Sequence, residues 1–311
     1  RRGRGFSYLN DSGEAVNGRV RTRIEDLVIP PAWEDVWISC DPRGHIQATG
    51  QDAAGRKQYI YHPLWEEVRD EVKFERLARF GRSLSQLRKR MDRDLRRRGL
   101  PRERVVALSV AVLDRTLLRV GNQRYVADND SYGLTTLTCE HIDVDGLHVH
   151  LEFAGKGGAE HQLAFRDRRL ANLVARCQEV DGQTLFSYET TGGGVSAVTS
   201  SDVNSYLSEA MGGGFTAKDV RTWGASALVI GELARNLDEP DRESRLVKAI
   251  DVAAERLGNT RAVCRSSYVH PGVIRANSEA RLSGVWRRAK SGTWTNRDES
   301  ALRLLLAEDQ S

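Results

Sequence analysis

Four cysteines are few for 311 residues, and Cys40, Cys139, Cys177 and Cys264 are scattered along the chain. No Cys-x-x-Cys pair occurs, so neither a zinc ribbon nor a disulfide framework is expected. Such usage fits a reducing cytoplasm. No run of roughly 18 apolar residues exists, so no membrane-spanning helix is expected. The opening Arg1-Arg2-Gly3-Arg4 has no apolar stretch behind it and does not read as a secretory leader. A Gly-x-Ser-x-Gly elbow is absent, as is any carboxylate cluster suited to Mg2+-dependent phosphoryl transfer. Gly155-Lys156 fails as a phosphate-binding loop: His150 stands where Gly is needed, and Gly157 where Ser or Thr is. No ATP site is therefore implied. His148 and His150 share a strand face but have no acidic or Cys partner at ligand spacing, so neither a metal nor another cofactor is expected. An enzyme acting on phosphate without metal must neutralise charge with Arg and Lys.

What is present is a soluble composition, 40% hydrophobic and 29% charged, long enough for one large or two medium domains. The formal charge of +4 is unevenly spread. Residues 1–73 carry 11 Lys+Arg against 12 Asp+Glu, whereas the remainder carries 36 against 31. Between Arg82 and Arg104 there are 10 basic and 3 acidic residues. So concentrated a basic stretch fits a polyanionic partner, although a solvated, salt-bridged helix face has the same composition.

The pattern along the chain predicts an α+β protein. A small β-rich domain, residues 1–73, precedes a mostly helical domain, residues 74–311, with a small antiparallel sheet. In the first, strands are expected at Gly5–Leu9, Val36–Ser39, His45–Thr49 and Lys57–His62, with a short helix from Arg19 to Leu27. Tyr59 and Tyr61 share one strand face and Gln58 points to the other. Phenol and amide groups of this kind can reach base edges and phosphates, or can simply pack at a sheet edge. A helix opens at Pro63, loosens between Glu71 and Phe80, and gives way to a basic helix, Leu84–Arg98, ended by Gly99. An apolar helix is expected from Arg102 to Val120. Period-two alternation then runs from Thr135 to Ala164, with a hairpin around Gly155-Lys156-Gly157-Gly158 that puts Lys156 at a flexible tip. Helices follow at 168–179, 200–211, 217–236, 241–257, around Tyr268, and at 298–308.

Taken singly, the notable residues have ordinary readings: Tyr268 as a packing residue, Arg119 as a cation at a helix end, Lys156 as a solvated tip. Taken in order they form a set. Arg119-Val120-Gly121-Asn122-Gln123-Arg124-Tyr125 follows a helix. Lys156 tips a hairpin. Lys218-Asp219-Val220-Arg221 opens a long helix. Asn259 and Tyr268 close the series. This order resembles the type IB DNA topoisomerases, specifically their small poxvirus-like bacterial branch, over nearly the whole chain. Gly55-Arg56-Lys57-Gln58-Tyr59-x-Tyr61 looks like that family's DNA-contacting strand.

The resemblance implies double-stranded DNA as partner and a monomer working at the nucleoid without cofactor. It implies that Tyr268 attacks a phosphodiester, leaving a 3′-phosphotyrosine and a free 5′-hydroxyl, and that supercoils are relaxed before resealing. By the same resemblance Arg119 and Arg221 bind the nonbridging oxygens and Lys156 protonates the leaving oxygen. Gln58, Tyr59, Tyr61, Arg124, Tyr125 and Lys218 would contact DNA. Asn259 departs from the His of many relatives but matches bacterial members; an amide donates a hydrogen bond yet cannot shuttle a proton. Elementary chemistry agrees with this division of labour. Guanidinium forks match phosphoryl oxygens as charge builds there, and a phenol of pKa about 10 needs nearby cations to act as a nucleophile. A leaving alkoxide wants a proton, and a lysine can supply it. The rival readings are a tyrosine site-specific recombinase, which typically carries His-x-x-Arg where this chain has Lys218-x-x-Arg221, and a DNA-binding protein without activity.

Overall fold

The computed structural model describes residues 6–10, 12–123, 126–127 and 130–309, and the backbone alone at 66, 67 and 69–71. The chain divides into two compact units, Arg1–Phe74 and Glu75–Ser311.

The first unit holds an antiparallel sheet of three strands, Glu34–Ile38, Ile46–Gln51 and Lys57–Tyr61, in sequence order. The strand expected at Gly5–Leu9 is replaced, over its described part, by an isolated bridge between Leu9 and Ala15. The reason is local. The Asn10 side chain accepts hydrogen bonds from the Ser12 and Glu14 amides, so the segment closes on itself rather than onto a sheet edge. A helix, Gly18–Asp26, is capped by the Asn17 side chain, which accepts from the Val20 amide at 2.9 Å. Arg23 fastens this helix to the sheet through the buried Gln47, donating to its Oε1 at 2.8 Å.

Pro63–Leu95 is one helix of 33 residues, not the two that the loosened pattern predicts. Phe74, Leu77, Ala78, Leu84, Leu87, Met91 and Leu95 are all buried, a stripe at helical spacing that charged neighbours obscure in the sequence. Gly99, at φ +67°, ends the turn that follows. The next helix, Arg102–Thr116, is the core of the second unit, with every residue from Val105 to Leu113 buried. It stops short of the expected Val120 because Leu117 is left-handed (φ 59°, ψ 28°).

The expected strand from Thr135 is also not formed. Two 3-10 turns, Leu134–Thr136 and Cys139–His141, occupy that stretch. Thr136 Oγ1 accepts from the Gly133 amide and His141 Nδ1 from the Thr138 amide, so side chains take donors that a ladder would need. The antiparallel sheet then runs Ile142–Asp145, His148–Ala154, Glu160–Arg166. A hairpin of short strands, Ser187–Glu189 and Val195–Ala197, lies outside the sequence reading. Helices Arg168–Gln178, Ser200–Met211 and Ala217–Arg235 pack on the core helix, and Arg242–Leu257, Arg261–Ser267, Pro271–Ser278, Leu282–Arg288 and Arg297–Glu308 complete the unit.

The last of these helices is packed into the core through Leu302, Leu305 and Leu306. It also contributes to a charged hub. Arg88 donates to both carboxylate oxygens of Asp114 at 2.9 Å, to Glu299 at 2.6 and 2.8 Å, and to the Trp294 carbonyl at 2.7 Å. Burial works against the Arg88 cation, but the two carboxylates outweigh it and raise its pKa. Arg88→Ala would leave Asp114 and Glu299 uncompensated, at a cost of about 3–5 kcal/mol. A urea unfolding curve measures this, and a loss below about 1 kcal/mol would mean that the triad is solvated like a surface pair.

Candidate active site

Leu117 sets the geometry of the site. A left-handed non-glycine residue costs about 1–2 kcal/mol, so the surroundings must hold it. They do: its side chain fills the space beside Gly224, where any Cβ would collide with it, and its carbonyl accepts a hydrogen bond from Arg221 Nη1. The turn throws Leu118, Arg119 and Val120 out of the helix. The carbonyls of Arg119 and Val120 then accept from the Leu134 and Thr135 amides, both at 2.8 Å. A Cβ on Gly133 would lie 2.7 Å from the Gly121 backbone and from the Arg119 carbonyl, so the close approach of the two segments depends on this glycine.

Arg221 lies in the first turns of helix Ala217–Arg235. Asp219 caps that helix, accepting from the Thr216 amide at 2.7 Å, and is itself held by Arg76 Nε at 3.2 Å. The Arg221 side chain is buried at 3% exposure. Its Nη2 donates to the Leu257 carbonyl at 3.1 Å. Burial lowers its pKa; the Tyr268 phenol opposes that effect and Arg119 adds to it.

Arg119 reaches the same helix end. Its Nη2 donates to the Gly258 carbonyl at 3.2 Å and to Asn259 Oδ1. The amide orientation of Asn259 follows from that contact: with the oxygen toward the guanidinium, the NH2 group faces away. The outcome is a set of unspent donors. Among the described residues six buried side-chain nitrogens have no hydrogen-bond partner, and three of them are Arg119 Nη1, Arg221 Nε and Asn259 Nδ2. Each orphaned donor costs about 1–3 kcal/mol, so three on one cluster, two of them on cations, call for an anionic acceptor.

Tyr268 ends helix Arg261–Ser267, its amide donating to the Cys264 carbonyl at 3.0 Å. The Arg221 guanidinium carbon lies 5.3 Å from the centre of its half-buried ring. Ser226, buried on the Arg221 helix and not singled out by sequence, pins the segment from both sides. Its hydroxyl donates to the Tyr268 carbonyl and accepts from the His270 amide, both at 3.0 Å. Buried cysteines offer no rival nucleophile, because burial raises the Cys264 thiol to about 11 and the Cys177 thiol to about 12.

The structure thus brings Arg119, Arg221, Asn259 and Tyr268 together. Lys156 is exposed at its hairpin tip, between Gly155 and the positive-φ Gly157 and Gly158, with no bond joining it to the other four. His161, on the returning strand, was also missed. It is buried in the register of its strand, stacked on Phe153 with ring centres 4.9 Å apart. An alternating strand with a histidine at an inward position was the available signal. Lys218 is exposed in the first turn of the Arg221 helix. In the first unit, Tyr59 and Tyr61 stack at 5.9 Å, and Tyr59 pairs across the sheet with Thr49, itself paired with the exposed Trp37. The Gln58 amide donates to Asp52 at 2.8 Å. Arg124 and Tyr125 lie outside the described residues. No group of three or more His, Cys, Asp or Glu suited to hold a metal ion occurs among the described residues.

Residues 62–284 match a family described as the catalytic core of eukaryotic DNA topoisomerase I, and residues 5–52 match the N-terminal domain of bacterial DNA topoisomerase IB. The chain is 33% identical over 272 residues to DNA topoisomerase 1B of Acanthamoeba polyphaga mimivirus, covering 84% of this chain and 81% of that one. Similarity to DNA topoisomerase 1B of Vaccinia virus (strain Copenhagen) is 19% over 261 residues, 82% of this chain and 78% of the viral protein. DNA topoisomerase 1 of Mycosarcoma maydis is 27% identical over 262 residues, which is 73% of this chain and 26% of the fungal protein. With a family match over more than half its length and a relative of this identity, the chain belongs to the type IB DNA topoisomerases.

Proposed function

We propose that Tyr268 is the nucleophile with which this topoisomerase relaxes supercoiled DNA. Its phenolic oxygen gives up its proton to solvent and forms a bond to a backbone phosphorus while the bond to the 5′-oxygen breaks. The covalent link stores the bond energy, so resealing is the same displacement reversed. Arg119 Nη1, Arg221 Nε and Asn259 Nδ2 supply hydrogen bonds to the nonbridging oxygens as charge builds on them. Lys156 delivers the proton that the departing 5′-oxygen needs; its glycine-flanked tip lets it reach the substrate once DNA is bound. The observation that carries this reading is the trio of buried, unspent donors beside Tyr268.

Asn259 supports assignment to the small bacterial branch, as does the match of residues 5–52 to a bacterial N-terminal domain. In our reading the enzyme works as a monomer on the double-stranded DNA of the nucleoid. Residues 1–73 form a DNA-gripping domain that uses Gln58, Tyr59 and Tyr61, while Arg124, Tyr125 and Lys218 hold the backbone near the site.

A supercoiled plasmid in EDTA without ATP tests the reaction. The wild type relaxes it and Tyr268→Phe does not; relaxation by the variant would overturn the assignment, and strand exchange only between paired sites would indicate a recombinase. Lys156→Ala should slow cleavage by about 10²–10⁴-fold, and a 5′-bridging sulfur, a leaving group that needs no acid, should restore it. Asn259→Asp keeps the side chain's shape and its bond to Arg119 but sets an anion where Nδ2 stood. Single-turnover cleavage should fall by about 100-fold or more while the urea midpoint does not drop. Cleavage at the wild-type rate would remove Asn259 from the phosphate site.

A further inference from the structure

The His161 ring stands between two glycines that border the site. A Cβ on Gly155 would lie 2.5 Å from its Cδ2 and 2.6 Å from its Nε2. A Cβ on Gly258 would lie 2.7 Å from the same Nε2. Neither glycine can therefore carry a side chain while the ring is in place. Gly155 immediately precedes Lys156, and its amide closes the hairpin onto the Ala159 carbonyl at 2.7 Å. Gly258 immediately precedes Asn259 and gives its carbonyl to Arg119. The ring cannot drift, because Phe153 stacks on it with planes 11° apart and only 7% of the residue is exposed.

We propose that His161 is a positioning residue: a rigid spacer that sets the hairpin carrying Lys156 at a fixed distance from the helix end carrying Asn259 and Arg119. The inference rests on the reading of Lys156 as the acid. A flexible, glycine-flanked tip cannot place an ammonium by itself, and the residue before Lys156 abuts this buried ring. The chemistry of the ring suits the place. Burial and the neighbouring Arg119 and Arg221 cations lower its pKa, so it remains a neutral wedge and adds no third positive charge to the cluster. A misplacement of the acid by about 1 Å is enough to cost on the order of 100-fold in rate.

Single-turnover cleavage of a DNA duplex with an ordinary phosphodiester, and of the same duplex with a 5′-bridging sulfur, separates positioning from folding. His161→Ala should slow the ordinary substrate by about 10–100-fold and the sulfur substrate far less, because only the former needs a placed acid. Equal slowing on both, or no slowing on either, overturns the proposal. Gly155→Ala tests the spacer from the other side. Gly155 has no positive φ, so the ring is the main obstacle to its methyl group. Alone it should slow the ordinary substrate; in the His161→Ala background it should add no further loss, since the space is empty. Additive losses would show that the two residues do not meet functionally, and that result stands even if a variant is partly destabilised. Lys156→Ala on the sulfur substrate is the control. Failure to rescue it removes the acid assignment, and the double-variant comparison then decides alone whether the ring couples the two segments.

Discussion

Two guanidinium groups lean on consecutive carbonyls at one helix end, Arg221 on Leu257 and Arg119 on Gly258. The rest of the site depends on that arrangement. Burying a cation is expensive, and carbonyls at a helix C-terminus offset part of the cost because their dipoles point the right way. They do so without using all the N–H groups. Each arginine is tied by one edge and left open on another, which is how a donor can be both fixed and available. Donors fixed in advance need no reorganisation when charge appears on a phosphate, and the energy spent on holding them is recovered at that moment.

The support behind this arrangement comes from elements distant in sequence. Leu117 turns left-handed so that its carbonyl meets Arg221 and Arg119 leaves the helix. Gly224 makes room for the Leu117 side chain, and Gly133 makes room for the Gly121 backbone. Asp219 fastens the start of the Arg221 helix, while Arg88 ties the helix Pro63–Leu95 to the core helix and to the last helix of the chain. The last helix, Arg297–Glu308, is therefore part of the core of the second unit. Its Glu299 is buried although it carries a charge, held there by Arg88.

Much of the fold was legible, and several of the exceptions share a cause. Helices with a clear apolar stripe and a polar cap, such as Ser200–Met211, lie where their pattern puts them. Readings fail where a side chain competes with the backbone for its own donors. Asn10 removes a strand, and Thr136 and His141 turn another into 3-10 helix. Leu117 ends a helix that its apolar neighbours would have continued. At the site, the resemblance carried by residue types in order picked out Arg119, Arg221, Asn259 and Tyr268, which the structure places close together. What could not be read was their state: which donors are spent, which remain, and that Asn259 turns its amide hydrogens away from Arg119. Those depend on contacts more than 100 positions apart. Ser226 and His161 escaped because neither carries a motif: Ser226 bonds only main-chain groups, and His161 is set by strand register and stacking.

Ser226 has one more consequence. Its hydroxyl clasps the main chain on both sides of Val269, the residue that follows Tyr268. In the reaction proposed above, the DNA end held by Tyr268 is moored to the framework of the helix Ala217–Arg235 rather than to a loop. The other end can swivel; the moored one keeps its place. Fidelity of rejoining then becomes a search by one free hydroxyl for a stationary target.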